Sequence, residues 1–96
     1  MVPWERLAQA TAKSVEEVQS AAAAALVREE LSRLDAEEVR LAQRYGVASA
    51  VDLEALMQRH LVDEHPAWED LITWEAIGDR RRRLLAILKE FVADDA

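Results

Sequence analysis

The sequence predicts an all-α protein of about four helices, on the basis of three observations. The 96 residues include only two glycines and two prolines, so the chain has little of the turn chemistry that a sheet requires. Two segments carry the side-chain pattern of a helix start. Apolar residues also recur at the spacing of a helix rather than of a strand.

The first two helices are predicted from their end signals. Pro3 stands where the first turn of a helix tolerates proline, which indicates a short helix over residues 4–12. Ser14 and Glu17 form a capping box, in which each side chain satisfies a free backbone N–H of the other residue. A long helix therefore follows over residues 15–45 and ends at Gly46, which supplies the left-handed stop.

Two further helices are predicted in the second half of the chain. Ser49 and Asp52 resemble a second helix start, which opens a helix over residues 50–60. Pro66 then opens a last helix over residues 66–92. Short turns join the four helices, so the architecture is a long helical hairpin or bundle.

The long helix carries two apolar faces, which predicts two packing partners. At 100° per residue the two faces are rotated by well over 100° from each other. One face holds Val15, Val18, Ala22 and Leu26; the other holds Val27, Leu31, Leu34, Leu41 and Tyr45. We expect an N-terminal helical hairpin over residues 1–26 and self-association of the chain through the second face.

The last helix also changes its apolar face, close to Gly78. One set of apolar residues falls within 68–72, and a nearly opposite set runs from Ile77 to Phe91. In one interpretation, residues 27–45 pack antiparallel on 84–92 and residues 68–72 are left for a partner. In the other, the helix over residues 50–60 covers that set within the monomer, through Leu53, Leu56 and Met57.

Length and composition predict a single domain, residues 1–96, with a thin core. Small domains bury little surface per residue, alanine is a large share of the apolar residues, and aromatics are only 5%. Oligomerisation is therefore the natural way to complete the bundle over residues 27–96. The absence of cysteine and of a signal-peptide pattern fits a cytoplasmic protein. The longest apolar run, residues 21–27, is far shorter than the ~20 residues of a membrane span.

The charge of the chain is concentrated in residues 52–79, here called the acidic segment. It contains Arg59 as its only Lys or Arg and eight acids, so its balance of −7 equals the formal net charge of the whole protein. Two of the three tryptophans, Trp68 and Trp74, lie within it. Acids interleaved with large apolar residues are typical of a surface for a basic, partly apolar protein.

Candidate chemistry is sparse, and we expect no enzyme activity, metal or cofactor. His60 and Glu64 are four residues apart, a usable spacing for a metal, but they span a predicted helix end without a third ligand. No nucleophile–histidine constellation or phosphate-binding glycine loop is present. Paired glutamates such as Glu37-Glu38 are expected on the exposed face of the long helix.

The run Arg80-Arg81-Arg82-Arg83 is expected to be solvated or to form ion pairs within the chain. Four consecutive helical residues point all around the axis, so they make no single basic face. The chain is also acidic overall, whereas nucleic-acid binding usually begins with a basic field. Asp79–Arg83 and Glu29–Arg33 have the spacing of ordinary helical ion pairs.

The N-terminal residues resemble a ribbon-helix-helix domain. Leu7-Ala8-Gln9-Ala10-Thr11-Ala12-Lys13-Ser14-Val15-Glu16-Glu17-Val18 has the spacing of its two helices, and also that of a helix–turn–helix. Ala12 replaces the usual turn glycine, and only Met1-Val2 precede Pro3 where the DNA-reading strand would lie. The resemblance implies a small dimerising helical unit. A simple helical hairpin with standard caps remains the alternative.

From Tyr45-Gly46-Val47 onward the chain resembles small type II antitoxin-like proteins. The resemblance rests on a Tyr-Gly turn, a short helix, an acidic turn, the run Trp68-Glu69-Asp70-Leu71-Ile72-Thr73-Trp74-Glu75 and a leucine-rich last helix. In that family an acidic helical segment commonly covers a basic ribonuclease toxin. The resemblance thus implies partner anchors and a charged surround: Trp68, Leu71, Ile72 and Trp74 as anchors, with Glu69, Asp70 and Glu75 around them.

The sequence therefore predicts a non-enzymatic protein–protein interaction module, most specifically an antitoxin that neutralises a basic toxin. One alternative is a structural helical bundle or adaptor that builds an oligomer. A second alternative is a DNA-binding regulator that uses residues 4–25.

Overall fold

The computed structural model describes the backbone of residues 3–93 and the side chains of residues 3–91. Over this range the chain forms four α-helices and no strand: α1 (Trp4–Thr11), α2 (Val15–Tyr45), α3 (Ala50–Gln58) and α4 (Glu64–Ala93). The all-α prediction is confirmed, and each predicted helix end lies within two residues of the observed one. The sequence predicts that the DNA-reading strand of a ribbon-helix-helix domain is missing before Pro3. Residues 1 and 2 lie outside the described range.

The turn between α1 and α2 is held by local backbone geometry and by the predicted capping box. Ala12 adopts a left-handed conformation (φ 56°, ψ 39°), which ends α1. The Ser14 hydroxyl then accepts a hydrogen bond from the Glu17 N–H at 3.0 Å, and the Glu17 carboxylate accepts one from the Ser14 N–H at 3.4 Å. These contacts satisfy two N–H groups that the first turn of α2 leaves free.

The ends of α2 and α3 are also set by local signals. Gly46 ends α2 in a left-handed conformation (φ 64°, ψ 34°), as predicted. The Ser49 hydroxyl caps α3 by accepting a hydrogen bond from the Asp52 N–H at 3.2 Å. His60 has a φ of 56° and lies in the turn that leads from α3 to α4.

The last helix runs without a break through Gly78. His65 is its one non-helical residue (φ −113°, ψ 124°), and the His65–Pro66 peptide bond is cis. Uninterrupted helical backbone therefore begins at Pro66, where the sequence predicted the helix start. From there α4 remains helical past Gly78 and past the change of apolar face.

The main core lies where α2, α3 and α4 meet. Helix α4 runs antiparallel to α2, and α3 packs on the first half of α4. Leu53 of α3 is completely buried at the centre of this cluster. Its other buried members are Leu34 and Leu41 of α2 and Ala67, Leu71, Trp74 and Ile77 of α4.

Helix α2 serves two neighbours, as its two apolar faces predict. Helix α1 packs on its beginning, where Ala8 and Val18 are buried, while α4 packs along much of the rest. The described chain measures 60 × 25 × 19 Å, with a radius of gyration of 19.1 Å. A compact chain of this length has a radius of gyration of roughly 12.5 Å, so the fold is markedly elongated.

The predicted self-association face of α2 is largely used within the monomer. Val27, Leu34 and Leu41 are buried, while Leu31 and Tyr45 are half-buried. Leu34 and Leu41 belong to the main core and Tyr45 packs against it, so these side chains are used within the chain. This corrects the prediction, because a second chain cannot reach side chains that α4 already covers.

Residues 27–45 also contact a longer part of α4 than the predicted residues 84–92. Arg44 and Glu38 of α2 bond to residues of α4 as far back as Asp70 and Trp74, so α2 also packs on the acidic half of α4. The side chain of Val92 lies outside the described range. Among the described residues, no helix is long and apolar enough to cross a membrane.

Candidate protein interface

The acidic segment extends from α3 across the turn and through the first half of α4. Its two tryptophans lie on different sides of α4, because six residues of helix correspond to a rotation of 240°. Trp74 is only 3% exposed, whereas Trp68 is 52% exposed. The structure therefore gives the two tryptophans different surroundings.

Trp74 and Leu71 belong to the chain's own core, which corrects their assignment as partner anchors. Leu53 of α3 packs in the same cluster, so the interpretation in which α3 covers this part of α4 holds for both residues. The Trp74 indole N–H donates a hydrogen bond to the Glu38 carboxylate of α2 at 3.1 Å. A buried indole needs such a partner, and this one lies within the chain.

Trp68 and Ile72 remain on the surface, as an interface anchor requires. Ile72 is 51% exposed and lies one helical turn from Trp68, so the two side chains are neighbours. Glu69 and Glu75 are exposed beside them on the same helix. The predicted surface is thus reduced to two adjacent apolar anchors with acids around them.

An open groove of about 650 Å³ lies next to Trp68, between the end of α3 and the start of α4. Met57, Leu71 and Trp68 supply apolar lining, and Glu54 and Glu64 supply carboxylates. His60, Gln58 and His65 complete the lining. The groove combines apolar and acidic groups, so it suits an aliphatic chain that ends in a positive charge.

His65 bonds within the same surface. Its Nδ1 lies 2.9 Å from a Glu69 carboxylate oxygen, four residues along α4. This hydrogen bond is the main reason that the pKa of Glu69 is below its usual value. Within residues 3–93, His, Asp and Glu side chains nowhere gather in a group of three that could hold a metal ion.

Asp70 bonds to two residues of α2. It accepts hydrogen bonds from Tyr45 and from Arg44, the latter at 2.8 Å, and so joins the start of α4 to the end of α2. Burial is the largest single influence on Asp70 and raises its pKa, but the hydrogen bonds from Tyr45 and Arg44 and the positive charges of Arg44 and Arg40 together lower the pKa. Asp70 is therefore removed from the predicted charged surround.

Arg81 makes a second connection between α2 and α4, which agrees with the predicted ion pairing within the chain; its partners were not predicted. Its guanidinium donates to Glu38 at 3.2 Å and to Asp35 at 2.8 Å. The hydrogen bond to Glu38 is the main reason that the pKa of Arg81 is raised. Glu38 was expected on an exposed face; instead it is half-buried and bonds to both Trp74 and Arg81.

The remaining arginines of the run 80–83 behave largely as predicted. Arg82 pairs with Asp79, three residues earlier. Asp79 is therefore bonded to Arg82 and not to Arg83, its predicted partner. The predicted pair of Glu29 with Arg33 is present at 2.9 Å. Arg80 and Arg83 are exposed on α4.

Comparison with known proteins places the chain in a family. The model of the Uncharacterized protein MJ0235 family matches residues 1–96. The chain belongs to the MJ0235 family. No curated protein and no solved structure matches this MJ0235-family chain.

Proposed function

We propose that this MJ0235-family protein is a cytoplasmic, non-enzymatic protein–protein interaction module whose acidic segment binds a basic protein. The single observation behind the proposal is the exposure of Trp68 and Ile72 amid carboxylates. Exposed apolar side chains that lie next to each other and are bordered by polar residues can mark a protein-binding surface. The core itself is already closed by Leu71 and Trp74.

The two kinds of residue divide the work of binding. Burial of Trp68 and Ile72 against a partner supplies affinity, because aromatic anchors in the centre of an interface account for most of the binding energy. The exposed carboxylates Glu69 and Glu75 attract a basic partner over longer distances and so speed encounter. Glu54 and Glu64 line the adjacent groove, where they can pair with a Lys or Arg of the partner.

An antitoxin that neutralises a basic ribonuclease toxin is the most specific form of this proposal. The antitoxin-like order of elements from Tyr45 onward supports it, together with the negative charge of residues 52–79. A small, basic, ribonuclease-like protein encoded beside this chain would favour the antitoxin over other interaction modules.

A structural bundle or adaptor is the alternative, and the elongated shape favours it. A molecule 60 Å long presents separate surfaces at its two ends, which suits a protein that links partners. DNA binding through residues 4–25 is a weaker alternative, because this hairpin has Arg6 and Lys13 against three glutamates. We expect no tight, salt-sensitive binding of duplex DNA in an anisotropy titration.

The proposal is tested by isolating the native complex from cells, measuring its mass and then titrating the identified partner with variants. Trp68→Ala should weaken partner binding by roughly 2 kcal/mol or more. Leu26→Ala is the matched control, since Leu26 is equally exposed but lies on α2, outside the acidic segment. Equal affinity of wild type and Trp68→Ala would rule out this surface.

The charged surround is tested by association rates with the same partner. Glu69→Gln combined with Glu75→Gln should slow association and reduce its salt dependence while the dissociation rate changes little. Asp70 is left intact in this variant because its bonds to Arg44 and Tyr45 join two helices. An unchanged association rate would show that the carboxylates have no part in encounter.

A further inference from the structure

One side of α4 is exposed along its length and combines apolar residues with both signs of charge. Its members follow each other at intervals of three or four residues, so they form one continuous face. We call the following set the outer face of α4: Trp68, Ile72, Ala76, Asp79, Arg83 and Ile87, all of them exposed. Helices α2 and α3 pack on the opposite side, through residues such as Ala67 and Ile77.

Charge is separated along this helix. The part from residue 64 to residue 79 carries five acids and neither Lys nor Arg, whereas residues 80–90 carry four arginines and one lysine against one acid, Glu90. Arg81 and Arg82 already form ion pairs within the chain, which leaves Arg80 and Arg83 as the exposed arginines without such a pair among the described residues. The acidic half of one helix is therefore complementary to the basic half of a second copy placed antiparallel to it. The same separation makes a parallel arrangement unfavourable, because like charges would meet.

One twofold axis can bring together both the apolar and the charged residues of the outer face. If Ile72 of one copy meets Ile87 of the other, the axis falls between residues 79 and 80. Ala76 then lies opposite Arg83 of the second copy, and Asp79 lies level with Arg80. Glu75 comes within one residue of the same Arg83, so carboxylates and guanidiniums are brought together on both sides of the axis.

We propose that two copies of this chain associate through the outer faces of their α4 helices, antiparallel and with a twofold axis near residues 79 and 80. The inference rests on the proposed function, since Trp68 and Ile72 are the anchors in both. It names what covers them in the isolated protein, which is the C-terminal half of a second α4: Ile87 lies opposite Ile72, while the arginines lie opposite the part of α4 near the axis. A different basic protein would compete with the second copy for the same residues.

This dimer also adds apolar burial to a monomer whose core is small. Among the described residues, Leu53 is the largest side chain with essentially no exposure, while Trp68, Ile72 and Ile87 stay exposed on the outer face. Helix α4 is 30 residues long, about 45 Å at the usual rise, so the outer face offers a long surface for burial. In a twofold-symmetric contact each of these residues is buried once in each copy, so each contributes twice.

Exchange of charges tests the arrangement, with the dimer dissociation constant measured by sedimentation equilibrium. Glu75→Arg alone places two arginines together, and Arg83→Glu alone places two glutamates together. Each variant should dissociate roughly tenfold more readily than wild type, because two symmetric attractions become repulsions. A mixture of the two variants should form a heterodimer with affinity close to that of wild type.

Arg28→Glu is the matched control for Arg83→Glu. It reverses the charge of another exposed arginine in the middle of a helix, away from the outer face. It should leave the dissociation constant unchanged. A wild-type dimer in which neither α4 variant weakens association, or in which mixing restores nothing, would overturn the proposed interface.

Cross-linking tests the antiparallel direction, since the chain has no native cysteine. With a short bis-maleimide reagent, Ile72→Cys should link efficiently to Ile87→Cys when the two proteins are mixed, and neither should link well to itself. Efficient linkage of Ile72→Cys to itself would indicate parallel helices and overturn the proposal. A strictly monomeric wild type at high micromolar concentration would overturn it too, while the proposed function would still be decided by the titration of the identified partner.

Discussion

The N-terminal hairpin and the region where α2, α3 and α4 meet are both helical, yet they are stabilised in different ways. In the hairpin the buried side chains are small: Ala8 of α1 and Val18 of α2. In the three-helix region the core contains Leu53, Leu71, Trp74 and Ile77. Since stabilisation follows apolar area removed from water, the second region contributes more of it per residue.

The two regions also differ in their polar connections. Among the described residues, every salt bridge between different helices joins α2 to α4, through Arg44 and Asp70 or through Arg81 with Asp35 and Glu38. The hairpin depends instead on its turn and its capping box. The comparison teaches that one long helix can join a weakly stabilised unit to a strongly stabilised one.

Substitution in the two cores should give the largest contrast. Leu53→Ala should lower the free energy of unfolding by about 3 kcal/mol or more, because Leu53 is fully buried and its removal leaves a cavity among large neighbours. Val18→Ala should cost roughly 1–2 kcal/mol, since less apolar volume is lost beside a short helix. Urea denaturation followed by far-UV circular dichroism measures both. Equal losses would remove the proposed difference between the regions.

Low pH should lower the free energy of unfolding by a smaller amount. We expect this loss to come from the three-helix region, where Asp70 joins α4 to α2. The pKa of Asp70 is lowered in the folded chain, so its contribution to stability is present above its ordinary value of 3.8 and is lost as the pH falls through the lower, folded pKa. Asp70→Asn should cost roughly 1–2 kcal/mol at neutral pH and should flatten the loss of stability below about pH 4.

Thermal melts across a pH series check the prediction for Asp70. Glu69→Gln serves as the comparison: the pKa of Glu69 is also lowered, but its pair with His65 is exposed and lies within one helix, so this variant should change the acid dependence less than Asp70→Asn does. An Asp70→Asn variant with the full acid dependence of wild type would contradict the assigned role.

The smallest predicted changes in stability are at Ala12 and Gly46, and they should have opposite signs. Ala12 and Gly46 adopt nearly the same left-handed conformation, and a β-carbon at Gly46 would meet nothing within 4 Å. The backbone alone therefore decides the result. Gly46→Ala should destabilise the protein by about 1 kcal/mol, and Ala12→Gly should stabilise it by about the same amount. Chemical denaturation of the two variants measures the difference, and shifts of equal sign would contradict it.

Local signals were sufficient to predict the helices from the sequence. Ser14 with Glu17 fixes the start of α2, and Gly46 fixes its end, because both act on backbone groups a few residues away. The end of α3 was predicted two residues too late, since no comparable signal stands at Gln58. The change of apolar face in α2 correctly indicated two neighbours.

The candidate site was harder to predict because it depends on contacts between distant residues. Trp68 and Trp74 were grouped as anchors, although their angular separation on a helix already places them on different sides. Which side α3 covers is decided by Leu53, from another helix. The role of Glu38 was missed for the same reason, since Trp74 and Arg81 lie 36 and 43 residues further along the chain.

The central claim is that Trp74 stabilises the fold while Trp68 is reserved for association. Urea unfolding of Trp68→Ala and Trp74→Ala, measured side by side at low protein concentration, tests it most directly. Trp74→Ala should lose about 3–5 kcal/mol, because it leaves a cavity and removes the donor to Glu38. Trp68→Ala should stay within about 0.5 kcal/mol of wild type. Equal destabilisation by the two variants would contradict the claim.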